Sequence, residues 1–327
     1  MNAFRSHFLA LALTLGSAVS AIAGPATPPT SPVTPVKDAL HFLVIGDWGR
    51  HGQEGQFDTA GRLAAAARKQ DAAFVISVGD NFYPVGVAST DDPSWRSSFE
   101  DVYSDHALHV PWYVVLGNHD YKGNPQAQID YTRISRRWQM PARYFTKTFA
   151  AGEDSPVQAQ FFFIDTSPMI EDYQQHPGEY AVADQDAAAQ LRWLEDELKQ
   201  STARWKIVVG HHPIYTVGKR KKAIGGGIQK ELEKALLPLL EKYHVQAYLA
   251  GHEHDLQVIR RPGGTVTHLV SGAGSETRPL GVPDPKDGRL FAVASAGFMA
   301  MSLTAQALNV ELVDAENRVP YAISLKP

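Results

Sequence analysis

The chain has 327 residues, of which 44% are hydrophobic and 20% charged, so it is long enough to bury a sizeable core. Thirty-one Lys and Arg against 35 Asp and Glu leave a net charge of −4, without the basic excess of a general nucleic-acid binder. Cysteine is absent, which excludes disulfides, thiolate zinc sites, iron–sulfur clusters and a cysteine nucleophile.

In residues 1–23, Arg5 precedes an apolar stretch from Phe8 to about Leu15, and Ala21-Ile22-Ala23 gives the small-x-small pattern of a signal-peptide cleavage site. Cleavage is expected after Ala23. The stretch is short for a bilayer span, which needs about 20 residues. No stable membrane span is therefore expected after cleavage, and a secreted or periplasmic location follows. Residues 24–39, rich in Pro, Thr and Ser, read as an extended tether. Residues 40–327 read as a single folded domain.

From Leu40 the chain alternates apolar strands, Gly-punctuated loops and amphipathic helices. Strands are expected at His41–Ile45, Phe74–Val78, Trp112–Leu116, Gln160–Ile164, Lys206–Val209 and Ala247–Leu249. Several are continuous apolar runs, the pattern of strands buried on both faces. Helices are expected at Phe57–Lys69, Gln126–Trp138, Ala187–Lys199 and Ile228–Tyr243. After Gly251 strands joined by turns take over: Gln257–Arg260, Thr265–Val270, Arg289–Ala294, Gly297–Leu303, Leu308–Val313 and Pro320–Leu325. The expected fold is α/β, two packed mixed β-sheets flanked by helices.

Functional residues of open α/β sheets gather beyond the carboxyl ends of strands. Five strand ends here carry a glycine followed by Asp, Asn or His: Gly46-Asp47-Trp48, Gly79-Asp80-Asn81-Phe82-Tyr83, Gly117-Asn118-His119-Asp120, Gly210-His211-His212 and Gly251-His252-Glu253-His254. Singly, each is an ordinary turn. Together they offer carboxylate, phenol, amide and imidazole donors, too many for one tetrahedral ion and suited to two adjacent metals with a bridging carboxylate. Such a pair is the clamp used for displacement at phosphorus. Hydrolysis of a phosphate ester is the expected chemistry. Among the neighbouring residues, His212 either lines the pocket or is structural, and Trp48 either walls the site or fills the core. Asp120 and Asp255 are expected to orient histidines.

With these motifs the sequence resembles the calcineurin-like metallophosphoesterases, and within them the small, tartrate-resistant type of purple acid phosphatase. Gly49 stands where most of that superfamily has a metal-binding His, and Tyr83 stands three residues after Asp80, as in purple acid phosphatases. The segments QIDYTRISRRWQMPARYF (128–145), FFFIDTS, QLRWLEDEL and LVSGAGSE resemble the same group. The resemblance implies an α/β/β/α sandwich and an Fe(3+) ion on Asp47, Tyr83 and His254. It also implies a second divalent metal (Fe, Zn or Mn) on Asn118, His211 and His252, with Asp80 bridging. It makes Asn118 and His119 contacts of the substrate phosphate and His119 the catalytic residue that assists the leaving group. Tyrosinate-to-ferric charge transfer at Tyr83 gives the family its colour. The implied reaction is attack of a metal-held hydroxide on phosphate monoesters, small molecules or phosphoproteins, by a monomer. A phosphodiesterase or nucleotide hydrolase on the same scaffold, and a non-catalytic phosphate- or glycan-binding module, are the rival readings. Where the animal enzymes have a second substrate-side His this chain has Arg220, within the basic run Lys219–Lys222. Arg220 is either a phosphate clamp or part of a solvated loop.

Overall fold

A computed structural model describes residues 30–152, 155–219 and 227–327. Residues 1–23, the first six of the tether (24–29) and Arg220 lie outside the described residues. Two sheets of seven strands form the body. The first runs in space β14 (Tyr321–Leu325), β13 (Leu308–Val313), β12 (Phe298–Leu303), β1 (Leu40–Ile45), β2 (Phe74–Ser77), β3 (Trp112–Val114) and β4 (Trp138–Gln139). The second runs β11 (Arg289–Val293), β9 (Leu256–Ile259), β10 (Thr267–Ser271), β8 (Ala247–Ala250), β7 (Trp205–Val209), β6 (Gln158–Phe163) and β5 (Phe145–Ala150). β1 to β4 are parallel, as are β6, β7, β8 and β10. The remaining pairings are antiparallel.

The period-2 alternation of the strands sorts their side chains into two cores. Phe42 and Val44 of β1, Phe74 and Ile76 of β2, Phe161 and Phe163 of β6, and Ile207 and Val209 of β7 belong to one buried cluster, where the sheets face each other. Leu43, Ile45, Val75, Phe162 and Val208 point the other way and pack with helical residues. Those helices are α1 (Gln56–Gln70), which contributes Leu63, and α4 (Ala187–Gln200), which contributes Leu194 and Leu198. Between them in the chain lie the short α2 (Pro125–Tyr131) and α3 (Glu171–Gln175). Asp58 in the first turn of α1 and Arg68 and Lys69 in its last match the helix dipole.

Two expected helices are corrected. One helix is expected over Gln126–Trp138, but α2 stops at Tyr131. Trp138 instead pairs beside Trp112 as β4, its indole donating to the Gln128 carbonyl at 2.8 Å. Burial of that tryptophan in an aromatic cluster with Trp48, Trp95, Phe99 and Trp112 outweighs helical propensity. The expected helix 228–243 is two, α5 (Gly227–Ala235) and α6 (Leu237–Lys242), with Pro238 in the first turn of the second. The alternating sequence Phe145–Ala150, unassigned from sequence, forms edge strand β5. Ahead of β1, Val33 is buried, and the Asn317 amide donates to the Thr30 carbonyl at 2.5 Å. Residues from Thr30 onward thus lie against the closing strands.

Candidate metal centre

The five glycine motifs follow β1, β2, β3, β7 and β8, so both sheets deliver their parallel carboxyl ends to one place. Close backbone approach brings them together. Asp47 N–H donates to the Gly79 carbonyl at 3.0 Å, and Gly251 N–H to the His211 carbonyl at 2.8 Å. Gly79 has φ +90°, and a Cβ there would sit 2.6 Å from His211 Nδ1. Asp47, Asp80 and His252 are themselves left-handed, at φ 58°, 50° and 68°. Such backbone is rare outside glycine and concentrates at functional sites.

Asp47, Asp80, His211, His252 and His254 are almost fully buried, and Tyr83 and Asn118 nearly so. The Tyr83 hydroxyl is the hinge of the cluster. It lies 2.9 Å from both Asp47 Oδ1 and Asp80 Oδ2, with one proton to share between them, and 3.1 Å from His254 Nε2. His254 Nε2 is 3.4 Å from Asp47 Oδ1. On the other side of Asp80, His211 Nε2 is 3.4 Å from Asp80 Oδ2 and has no hydrogen-bond partner among the described residues. The rings of His211 and His252 lie 5.2 Å apart, and His252 Nδ1 is 3.0 Å from Asn118 Oδ1. Donor atoms of Asp47, Asp80 and His211 all fall within 4.8 Å of one another, as do those of His211, His212 and His252.

The electrostatics fit a cation. Burial, and then the charges of Asp47 and Asp80, push the Tyr83 phenol well above its ordinary range. Burial would also raise Asp80, but the charges of His211, His119 and His252 outweigh it and hold the carboxyl well below the usual range. His211 is pushed up to about 9: burial opposes this, and Asp80 and Asp47 overcome it. The protein has gathered acids and a phenol in a buried space with protons on imidazole as the available counter-charge. A metal ion in such a place reverses the local proton preferences and deprotonates its ligands.

His119 is only partly buried. Its backbone N–H donates to Asp80 Oδ1 at 2.8 Å, and its Nδ1–H donates to the Pro84 carbonyl at 2.6 Å. That carbonyl fixes the tautomer and leaves Nε2 for other partners.

Comparison with known proteins decides the family. A model of the calcineurin-like phosphoesterases matches residues 40–256. Purple acid phosphatase 7 of Arabidopsis thaliana is 37% identical over 296 residues, covering 88% of this chain and 86% of the relative. The chain belongs to the purple acid phosphatases, within the calcineurin-like phosphoesterases. It is an acid phosphatase of a binuclear-metal family. Tartrate-resistant acid phosphatase type 5 of Homo sapiens is 37% identical over 251 residues, 74% of each chain. Among solved structures, Plasmodium GAP50, described as the anchor in the inner membrane complex, superposes with TM-score 0.77 over 89% of each chain at 26% identity. Lupin phosphatase PPD1 shares the fold, with TM-score 0.67 at 16% identity, over 90% of this chain and 55% of its own.

Around the candidate ligands of this phosphatase the neighbouring residues take different parts. His212 is buried between Thr166 Oγ1 at 2.8 Å and Tyr173 Oη at 3.1 Å, its ring 4.5 Å from that of His252. Trp48 is core, its indole donating to Ser77 Oγ at 2.8 Å. Asp120 orients no histidine among the described residues. It accepts from the Gly117 backbone at 2.8 Å, the Asn81 backbone at 3.1 Å and Gln128 Nε2 at 2.8 Å, locking the loops that carry Asp80 and Asn118. Asp255 likewise accepts from Gln257 Nε2 at 2.6 Å instead of a histidine. The histidines are held by groups that sequence reasoning missed: the Val78 carbonyl at 2.8 Å from His211 Nδ1, and Glu276 Oε2 at 3.5 Å from His254 Nδ1. A backbone carbonyl leaves no residue signature, and Glu276 is distant in sequence.

Proposed function

We propose that this phosphatase hydrolyses phosphate monoesters in mildly acidic solution at a mixed Fe(3+) and divalent centre. Asp47, Tyr83 and His254 hold the ferric ion, and Asn118, His211 and His252 hold Fe, Zn or Mn, with Asp80 shared. The observation that carries the reading is the Tyr83 hydroxyl, within 3.1 Å of Asp47, Asp80 and His254 at once. A phenol in that position serves a metal that binds phenolate well, which favours a ferric ion over zinc on that side. When bound, the two ions would polarise the phosphoryl oxygens and acidify water for displacement at phosphorus.

The chain's own residues do the rest. Asn118 and His119, on the loop after β3, face the phosphate, their loop pinned by Asp120 and by the His119 N–H to Asp80 contact. With Nδ1–H committed to Pro84, His119 Nε2 takes up a proton from the mildly acidic solution, and the imidazolium so formed passes that proton to the leaving oxygen and returns to the neutral ring. Arg220, outside the described residues, is retained as a phosphate clamp. The substrates are small phosphate esters or phosphoproteins, and the chain acts as a monomer. Export with cleavage after Ala23 rests on the pattern of residues 1–23, and no helix among the described residues is long and apolar enough to cross a membrane.

The test is metal analysis, a visible spectrum and hydrolysis of p-nitrophenyl phosphate by the purified protein. Two metals per chain including iron, a violet to pink colour and activity below neutral pH are expected. A colourless iron-loaded protein would refute the ferric-tyrosinate reading. N-terminal sequencing of the exported protein tests cleavage after Ala23.

A further inference from the structure

Arg50 belongs to none of the strand-end motifs, yet its guanidinium reaches toward every member of one half of the centre. Its Cζ lies 4.0 Å from the centroid of the Tyr83 ring. Nε donates to Ser275 Oγ at 3.2 Å, and Ser275 Oγ in turn donates to the Asp47 carbonyl at 2.6 Å. Nη2 donates to Glu276 Oε2 at 2.7 Å, and the same oxygen stands 3.5 Å from His254 Nδ1. Among the described residues that buried Nδ1 makes no hydrogen bond, and Glu276 is the acceptor placed to orient the ring. Arg278 adds a second cation 3.5 Å from Glu276, and Glu54 closes the ring of contacts 3.1 Å from Arg50 Nη1.

The side chain is built in rather than free. It is 15% exposed, and the Arg50 backbone N–H is tied to Gln56 Oε1 at 2.9 Å. A planar fork is required, since one group must stack on a ring while donating in two directions within its plane. In the other half, His211 Nδ1 meets a backbone carbonyl and His252 Nδ1 meets Asn118 Oδ1.

We propose that Arg50 is the positioning residue of the Asp47, Tyr83 and His254 half, acting through Ser275, Glu276 and its own stacking on Tyr83. Its charge also sets the energy at which an electron leaves the Tyr83 phenolate for the metal. The inference rests on the ferric-tyrosinate reading above. A cation 4.0 Å from the ring and largely shielded from water stabilises the phenolate, so its loss makes charge transfer easier.

The experiment compares wild type, Arg50→Met, Arg50→Lys and Glu276→Gln as full-length, metal-loaded proteins. Three readouts are followed: the visible absorption maximum, retention of iron against a chelator, and retention of the second metal. Arg50→Met should move the band to longer wavelength and weaken iron retention about 10- to 100-fold, with the second metal held as in wild type. Arg50→Lys should bring the band back toward the wild-type position without restoring iron retention, because charge returns but the fork does not. Glu276→Gln should weaken iron retention with a smaller band shift. A coloured wild type whose band and iron retention survive Arg50→Met unchanged would overturn the proposal alone. Parallel loss of both metals with a lowered Tm would also overturn it, by showing a general structural role. A wild type without any visible band would overturn the ferric-tyrosinate reading and this inference with it.

Discussion

The two halves of the metal centre are built by different means. Around Asp47, Tyr83 and His254 the supports are side chains drawn from far along the sequence, with Arg50 and Glu276 separated by 226 positions. Around Asn118, His211 and His252 the supports include the Val78 backbone carbonyl on His211 and the Asn118 side chain on His252. The second kind of support follows from the fold and survives most substitutions. The first depends on particular residues, so it can be tuned by mutation without disturbing the sheets.

Substitution of the shared residue should remove both halves together. Asp80→Ala is expected to leave fewer than two metals per chain and to reduce phosphatase turnover far beyond the 10- to 100-fold typical of an outer-shell partner. Metal analysis with steady-state kinetics checks it, and full activity would break the comparison at its base. Asn118→Ala should separate the halves: about 100-fold or more lost from kcat/KM, the second metal weakened, and the visible band kept. Tyr83→Phe is the converse, with the colour gone but part of the hydrolysis retained, because Asp47, Asp80 and His254 still offer donors to the ion. An Asn118 variant that bleaches, or a Tyr83 variant that keeps its colour, would reverse the assignment of the halves.

The smallest effect lies outside both halves and is read as stability against pH. Asp165 follows β6, accepts the Tyr121 hydroxyl and is pushed up to about 6 by burial, against the pull of that hydrogen bond and of Arg143. Its ordinary value is about 3.9. The folded state therefore binds the proton more tightly than the unfolded chain, and the stability it contributes is lost as pH rises from about 4 to about 6. Asp165→Asn should flatten that part of the Tm-against-pH curve. An unchanged slope would show that this carboxyl titrates normally.

The donor set was legible in sequence because its signal is local: a glycine, then a ligand, at the end of an apolar run. The same locality explains what was not legible. No spacing links Arg50 to Glu276, and nothing in Asn118-His119-Asp120 says that the aspartate binds loops instead of a histidine. Trp138 was misassigned for a related reason. It stands at the end of the segment read as a helix, and the aromatic cluster it joins lies far away in sequence. The positions of most strands were readable, since continuous apolar runs in a βα alternation leave few alternatives; their order across the two sheets was not, because pairing joins segments far apart in the chain.

The left-handed backbone at Asp47, Asp80 and His252 has a consequence for selection. Each costs roughly 1–3 kcal/mol that glycine would largely avoid. At His252 such an exchange also removes a buried imidazole. A screen for thermal resistance that ignores turnover would be drawn to these positions, and each gain would dismantle the centre. Evolving this enzyme for robustness therefore has to proceed elsewhere, in the loops and caps, while these turns stay strained.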